Sequence, residues 1–281
     1  MTLIAVTGST GRVGGRVARL IADAGTAQRL VVRDPARAPR LEGAEVVVAS
    51  YADTDAVRRA LDGVDVVLMV SGAEAEDRLE QHRAFIEGAR QSGVGHVVYT
   101  SFLGAAPDSV FTLARDHWAT EQILAGSGMA WTCLRDNFYA DVMPGYVGAD
   151  GALRGPAGDG RVSLLAAADV ADVAVAVLLD PSPHRDTSYP LTGPEALSFS
   201  EIAAVIAEVT GHPTTYVAET VEQAYASRAV YDAPPWQVDS WVSTYTAIAS
   251  GGLAEVSPWV RDLTGHAPRD LRTVLRARQE R

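Results

Sequence analysis

Apolar residues in the first half of the chain fall in short runs separated by amphipathic stretches. "TLIAVTG" (2–8), "QRLVV" (28–32), "AEVVVAS" (44–50), "VDVVLMVSG" (64–72), "GHVVYTS" (95–101) and "MAWTCLR" (129–135) read as six strands. Between the first two, "RVGGRVARLIADAG" sets Val13, Val17, Leu20, Ile21 and Ala24 at helical spacing and closes on Gly25. "DTDAVRRALDG" (53–63), "EDRLEQHRAFIEGARQSG" (76–93) and the segment around "LARDHWATEQ" (113–122) predict three more helices. Strands buried on both faces and joined by helices predict an α/β fold with a doubly wound parallel sheet.

The rhythm loosens after about residue 140. "MPGYVGADGALRGPAGDG" (143–160) reads as a loop, "LAAADVADVAVAVLLD" (165–180) as an apolar helix and "SYPLTG" (188–193) as a short strand. Ser198 with Glu201, and Thr220 with Gln223, have the spacing of capping boxes. The remainder, with Trp236, Trp241, Tyr245 and Trp259, reads as mostly helical, and the basic tail "RDLRTVLRARQER" (269–281) as a solvated helix face or a subunit contact. With no repeat and no linker, one structural unit is expected: residues 1–150 as a core to which 163–195 return, and 196–281 mainly as a small, mostly helical C-terminal lobe for substrate.

Composition narrows the chemistry. The net charge of −11 argues against nucleic acid as a partner. No apolar run is long enough to span a bilayer, and no leader-like segment opens the sequence, so a cytoplasmic protein with no membrane partner is expected. One cysteine, Cys133, in a strand-like setting, reads as a buried inert thiol in a reducing compartment. The 24 basic Lys-or-Arg residues are all Arg. The absence of Lys excludes Walker-type phosphate loops and Schiff-base enzymes. The six His are dispersed without metal-ligand spacing, and no G-x-S-x-G elbow occurs.

"VTGSTGRVG" carries the strongest signal. Gly8 allows a tight turn between strand and helix, Gly11 lets backbone approach a pyrophosphate, and Gly14 lets helix pack on strand. The loop Gly8, Ser9, Thr10, Gly11, Arg12, Val13 and Gly14 is therefore the candidate dinucleotide site, with G-x-x-G-x-x-G spacing. The second strand ends in "LVVRDPAR". Arg33 stands where an NAD site usually carries an acid for the ribose, and with Arg12 and Arg37 it suits a phosphate monoester, so NADP(H) is the expected cofactor. Asp34 before Pro35 reads either as a ribose contact or, more simply, as a helix N-cap. Ligands sit outside the C-terminal strand ends of such sheets, which adds Val70, Ser71 and Gly72 and the pair Thr100 and Ser101 near the nicotinamide ribose.

These stretches, with "ASYADTDAVRRALDGVD", "GVGHVVYTS", "DHWATEQILAGSGMAWTCLRDNFY" and "YPLTGPEALSFSEIAAVIAEVTG", resemble the NmrA-like atypical short-chain dehydrogenases/reductases, especially their NAD(P)H-dependent quinone oxidoreductase branch. The resemblance covers roughly residues 3 to 217. It implies a Rossmann fold, cofactor contacts at Gly8 to Gly14, Arg33, Val70 to Gly72, Asn137, Phe138 and Tyr139, and an adenine contact at Asp53. An N-cap role for Asp53 or Thr54 is the competing reading.

Against the Tyr-x-x-x-Lys dyad of short-chain dehydrogenases, this chain has Leu113 and His117. Helical spacing puts Leu113, His117 and Glu121 on one face. His117 and Tyr139 are the candidate catalytic residues and Ser101 a weaker one, with a His117–Glu121 pair as the structural alternative. Reduction of an ordinary ketone yields a strongly basic alkoxide and calls for a positioned acid, typically worth about 10²–10⁴-fold. A reduced quinone is a phenolate-like anion whose conjugate acid has a pKa of roughly 10. The expected function is hydride transfer from NADPH to a quinone, activated enone or aromatic, with a homodimer as the one candidate protein partnership. The competing readings are a redox sensor that binds NADP(H) without turnover, and isomerisation or dehydration of a polyketide-like substrate.

Overall fold

The computed structural model describes residues 2–279. Its elements in chain order begin β1 (Ile4–Thr7), α1 (Arg12–Asp23), β2 (Gln28–Val32), β3 (Ala44–Val48), α2 (Thr54–Ala60), β4 (Val66–Met69), α3 (Arg78–Ser92), β5 (His96–Phe102), α4 (Thr112–Ala125) and β6 (Ala130–Asp136). They continue with β7 (Ala152–Gly155), β8 (Arg161–Val162), α5 (Ala167–Leu179), β9 (Thr187–Pro190), β10 (Leu197–Ser198), α6 (Phe199–Thr210), β11 (Thr215–Ala218), α7 (Val221–Arg228), α8 (Pro235–Ala249), α9 (Trp259–Thr264) and α10 (Leu271–Gln279).

Contacts group the chain into two compact units: Met1–Phe102 with Asp116–Arg135 and Val170–Pro190, and Leu103–Arg115 with Asp136–Asp169 and Leu191–Arg281. The first unit holds a seven-stranded sheet in the order β3-β2-β1-β4-β5-β6-β9. Strands β3, β2, β1, β4 and β5 pair parallel in turn, as do β6 and β9. This is the expected doubly wound α/β sheet, and its order reverses between β1 and β4. Ala5, Val6, Val67, Leu68, Val97 and Val98 are wholly buried, which explains why these strands read as continuous apolar runs. The edge strand β3 leaves Val46 and Val48 exposed.

In the second unit α6 and α7 each open on a complete capping box, Ser198 with Glu201 and Thr220 with Gln223, as their spacing predicts. The stretch 143–160 is not simply a loop. It begins inside a 3-10 turn (Ala140–Tyr146) and contains β7, which pairs parallel with β11. The Gly-rich composition hid a strand whose partner lies far along the chain. The basic tail is amphipathic: α10 buries Leu271, Val274 and Leu275 while Arg272 pairs with Glu208 at 3.0 Å. The last two tail residues lie outside the described ones. No helix among the described residues is long and apolar enough to cross a membrane.

Candidate active site

The glycine loop lies at the β1–β4 reversal. Gly8 has φ +62°, and a Cβ there would fall 3.0 Å from Val70 Cβ. Gly11 N–H donates to Gly8 O at 2.8 Å, closing the turn. A Cβ on Gly14 would fall 2.5 Å from Gly8 O and 2.6 Å from Thr7 O, so only glycine lets α1 sit this close to β1. Gly11 caps α1 without a side-chain bond, which leaves first-turn N–H groups for an anion. Ser9 is 2% exposed, yet its Oγ has no hydrogen-bond partner. An orphaned hydroxyl, uncapped N–H groups and a turn with glycine at both ends fit a dinucleotide pyrophosphate. Thr10 and Arg12 are exposed, and Val13 is buried under the loop.

Arg33 and Arg37 are exposed after β2. Neither they nor Arg12 forms an ion pair among the described residues, so all three guanidinium groups are available. Asp34 accepts from Ala36 N at 3.0 Å, capping a single 3-10 turn (Pro35–Arg37) rather than a helix. Asp53 likewise accepts from Ala56 N at 2.9 Å and caps α2. Both carboxylates thus have the capping role their sequence context allowed.

Tyr51 has no part in the sequence reading, but it locks the strand ends. Val70 N–H donates to Thr7 Oγ1 at 2.9 Å, Thr7 Oγ1 lies 2.5 Å from Tyr51 Oη, and Tyr51 Oη donates to Val70 O at 2.7 Å. These three bonds form a closed ring joining β1, the segment after β3 and the end of β4. Burial pushes the Tyr51 phenol up, so it stays protonated and keeps donating. Ser71 N–H donates to Thr100 Oγ1 at 2.8 Å, joining the ends of β4 and β5.

His117 lies on α4 and is 6% exposed. Arg78 Nη2 lies 3.0 Å from its Nε2, and Tyr99 Oη lies 2.9 Å from its Nδ1. A guanidinium only donates, so Nε2 must be the bare acceptor nitrogen and Nδ1 carries the proton toward Tyr99. Burial first, then the charge of Arg78, holds the ring pKa well below the usual 6.5. His117 is thus a neutral imidazole with both nitrogens engaged, and Tyr99 is pushed up by burial. Glu121 does not pair with His117. It accepts Ser101 Oγ at 2.6 Å and takes a two-pronged bond from Arg135, at 2.9 and 2.6 Å. Ser101 thereby spends its only hydroxyl proton.

Asn137, Phe138 and Tyr139 belong to the second unit. The Asn137 amide donates to Ser163 Oγ at 2.9 Å and Leu253 O at 3.1 Å, and its oxygen accepts Phe138 N–H at 2.8 Å. Phe138 lies half-buried, its ring 5.5 Å from that of Phe111. Tyr139 donates a short hydrogen bond to the Asp136 carboxylate. Burial and that carboxylate raise its phenol well above the usual 10.

Comparison with known proteins gives this arrangement a family. Residues 8–181 match the family described as NAD(P)H-binding. An NAD(P)H azoreductase of Xenophilus azovorans is 35% identical over 95% of this chain and 94% of its own length. Quinone oxidoreductase 2 of Escherichia coli (strain K12) is 32% identical over 94% of each chain. The crystal structure of the Escherichia coli NADPH-dependent quinone oxidoreductase complexed with NADPH superposes with a TM-score of 0.88, at 30% identity over 99% of this chain and 100% of that one. The fold and the glycine loop define a dinucleotide-binding oxidoreductase. The chain belongs to the NAD(P)H-binding family, among its NmrA-like and quinone oxidoreductase members.

Proposed function

We propose that this protein reduces a quinone, or a similarly activated acceptor, with NADPH and without a dedicated proton donor. The observation that carries the proposal is the state of His117: neutral, buried, and bonded through both ring nitrogens to Arg78 and Tyr99. The other hydroxyl candidates are committed too, Ser101 to Glu121 and Tyr139 to Asp136. With no Lys in the chain, no Tyr-Lys dyad can form.

Bound NADPH supplies the hydride; the protein supplies orientation and electrostatics. The uncapped start of α1 and the Ser9 hydroxyl would hold the pyrophosphate, and Arg12, Arg33 and Arg37 would bind the 2′-phosphate. The Tyr51 ring keeps the β4 end in place. A reduced quinone leaves as an anion whose conjugate acid has a pKa of roughly 10, so water can protonate it. An ordinary ketone would leave an alkoxide and need the acid this site lacks. The two enzyme relatives, an azoreductase and a quinone oxidoreductase, point to the same electron-poor class of acceptor.

The test is NADPH oxidation against a panel of small quinones and azo compounds, with simple ketones as controls. Turnover of the electron-poor acceptors and none of the ketones is expected. Tight NADPH binding with no turnover of any of them would instead identify a dinucleotide sensor.

A further inference from the structure

Arg78 and His82 stand four residues apart on α3, so one helix face presents both. Together they take both polar groups of a single residue. Gly72 N–H donates to His82 Nε2 at 2.8 Å, and Arg78 Nε donates to Gly72 O at 3.0 Å. The packing around Gly72 is close: a Cβ there would fall 3.2 Å from His82 Nε2, which would have to yield a few tenths of an ångström, and in ordinary contact with Arg78 Cγ at 3.8 Å. His82 then donates through Nδ1 to Thr120 Oγ1 at 2.9 Å, and Thr120 donates to Asp116 O at 2.8 Å. Arg78 is 4% exposed, and its third nitrogen, Nη1, has no hydrogen-bond partner and lies 3.7 Å from the Asp116 carboxylate. One rigid guanidinium fork therefore ties α3 and α4 to the segment that follows β4.

We propose that Arg78 is a positioning residue for dinucleotide binding: with His82 it clamps the Gly72 peptide so that Val70–Gly72 is preset for the cofactor, and it fixes His117 in the Nδ1–H tautomer. This rests on the NADPH reading given above. Lys could not substitute, because a single ammonium cannot reproduce the planar fork that reaches Gly72 O and His117 Nε2 together. The groups facing His117 are Arg78 and His82 from α3, Tyr99 from β5, and Asp116 and Glu121 on its own helix. Arg78 supplies the obligate donor at Nε2, so its removal opens that nitrogen to a proton.

The test has two arms. Ring-nitrogen NMR of the ligand-free protein should find His117 and His82 protonated at Nδ1 and unchanged between pH 8 and about 5.5, a range set by the ordinary histidine pKa. In Arg78→Met the His117 ring should lose its fixed tautomer and populate the Nε2–H form, which a merely structural role for Arg78 would not produce. NADPH binding, followed by protein fluorescence, should weaken about tenfold in both Arg78→Met and Arg78→Lys, because the Val70–Gly72 segment must then be ordered on binding. Arg78→Lys keeps the buried charge and stem and carries the affinity arm if Arg78→Met does not fold. A folded variant with wild-type NADPH affinity, or wild-type His117 protonated at Nε2, would overturn the proposal. Failure of the wild-type protein to bind NADPH would instead remove the cofactor reading on which it rests.

Discussion

Arg78 meets His117 at 3.0 Å through Nη2 and Nε2, and a permanent cation that can only donate keeps that nitrogen unprotonated. The residue at the Lys position of a short-chain dehydrogenase is therefore neutral and inward-bonded. Turnover should show no ionisation of His117 between about pH 6 and 8, where a free imidazole would titrate. A pH–rate profile at saturating NADPH checks this. A limb in that range that disappears in His117→Phe would contradict it.

The cofactor preference should depend on Arg33. Losing one charge-assisted hydrogen bond costs about 1.5–3 kcal/mol, or roughly one to two decades in affinity. Arg33→Ala should weaken NADPH by that much and leave NADH nearly untouched. Equal dissociation constants for the two cofactors in the wild-type protein would remove the 2′-phosphate assignment.

Two glycines of one loop should separate binding from folding. At Gly11 a Cβ meets only Gly8 O, at 3.3 Å, whereas at Gly14 it meets backbone at 2.5–2.6 Å. Gly11→Val should fold but bind no dinucleotide, because its side chain occupies pyrophosphate space. Gly14→Ala should lose about 1–3 kcal/mol of stability or more by overpacking. Urea unfolding beside NADPH titration checks both. A Gly11→Val protein with normal affinity would contradict the loop assignment.

Buried neutral histidines make stability depend on pH. Burial, and then Arg78, lower His82 to about 3, and His117 also lies well below 6.5. The unfolded chain takes up protons at these positions below about pH 6.5 while the native state does not. The His82 contribution is complete above that pH and is lost progressively as pH falls toward 3, about 2 kcal/mol of it by pH 5, and His117 acts in the same direction. Urea midpoints at pH 7.5 and 5 should show the loss, and His82→Gln should reduce it. An unchanged slope in that variant would count against the buried neutral state.

Features set by neighbouring residues were legible in the sequence. The strand–turn–helix of Gly8 to Gly14, the Asp53 cap and the capping boxes at Ser198 and Thr220 depend on a few adjacent positions. What escaped depends on contacts between distant segments. Tyr51 meets Thr7 and Val70, and Arg78 meets His117, across parallel strands and their crossover helices. The i,i+4 spacing of Arg78 and His82 is the one sequence signal that points to them. Helical spacing also offers Glu121 a partner in His117, but Arg135 on β6 gives it a two-pronged bond that His117 cannot match. Strand β7 was hidden because its partner β11 lies in another part of the chain.

The most direct measurement is single-turnover hydride transfer to a quinone by His117→Phe at saturating NADPH, with cofactor affinity measured alongside. Because both ring nitrogens already serve Arg78 and Tyr99, the variant should lose less than about 10²-fold, below the usual contribution of a general acid. A loss of about 10³-fold or more with NADPH binding intact would make His117 a true proton donor and contradict reduction without a dedicated acid.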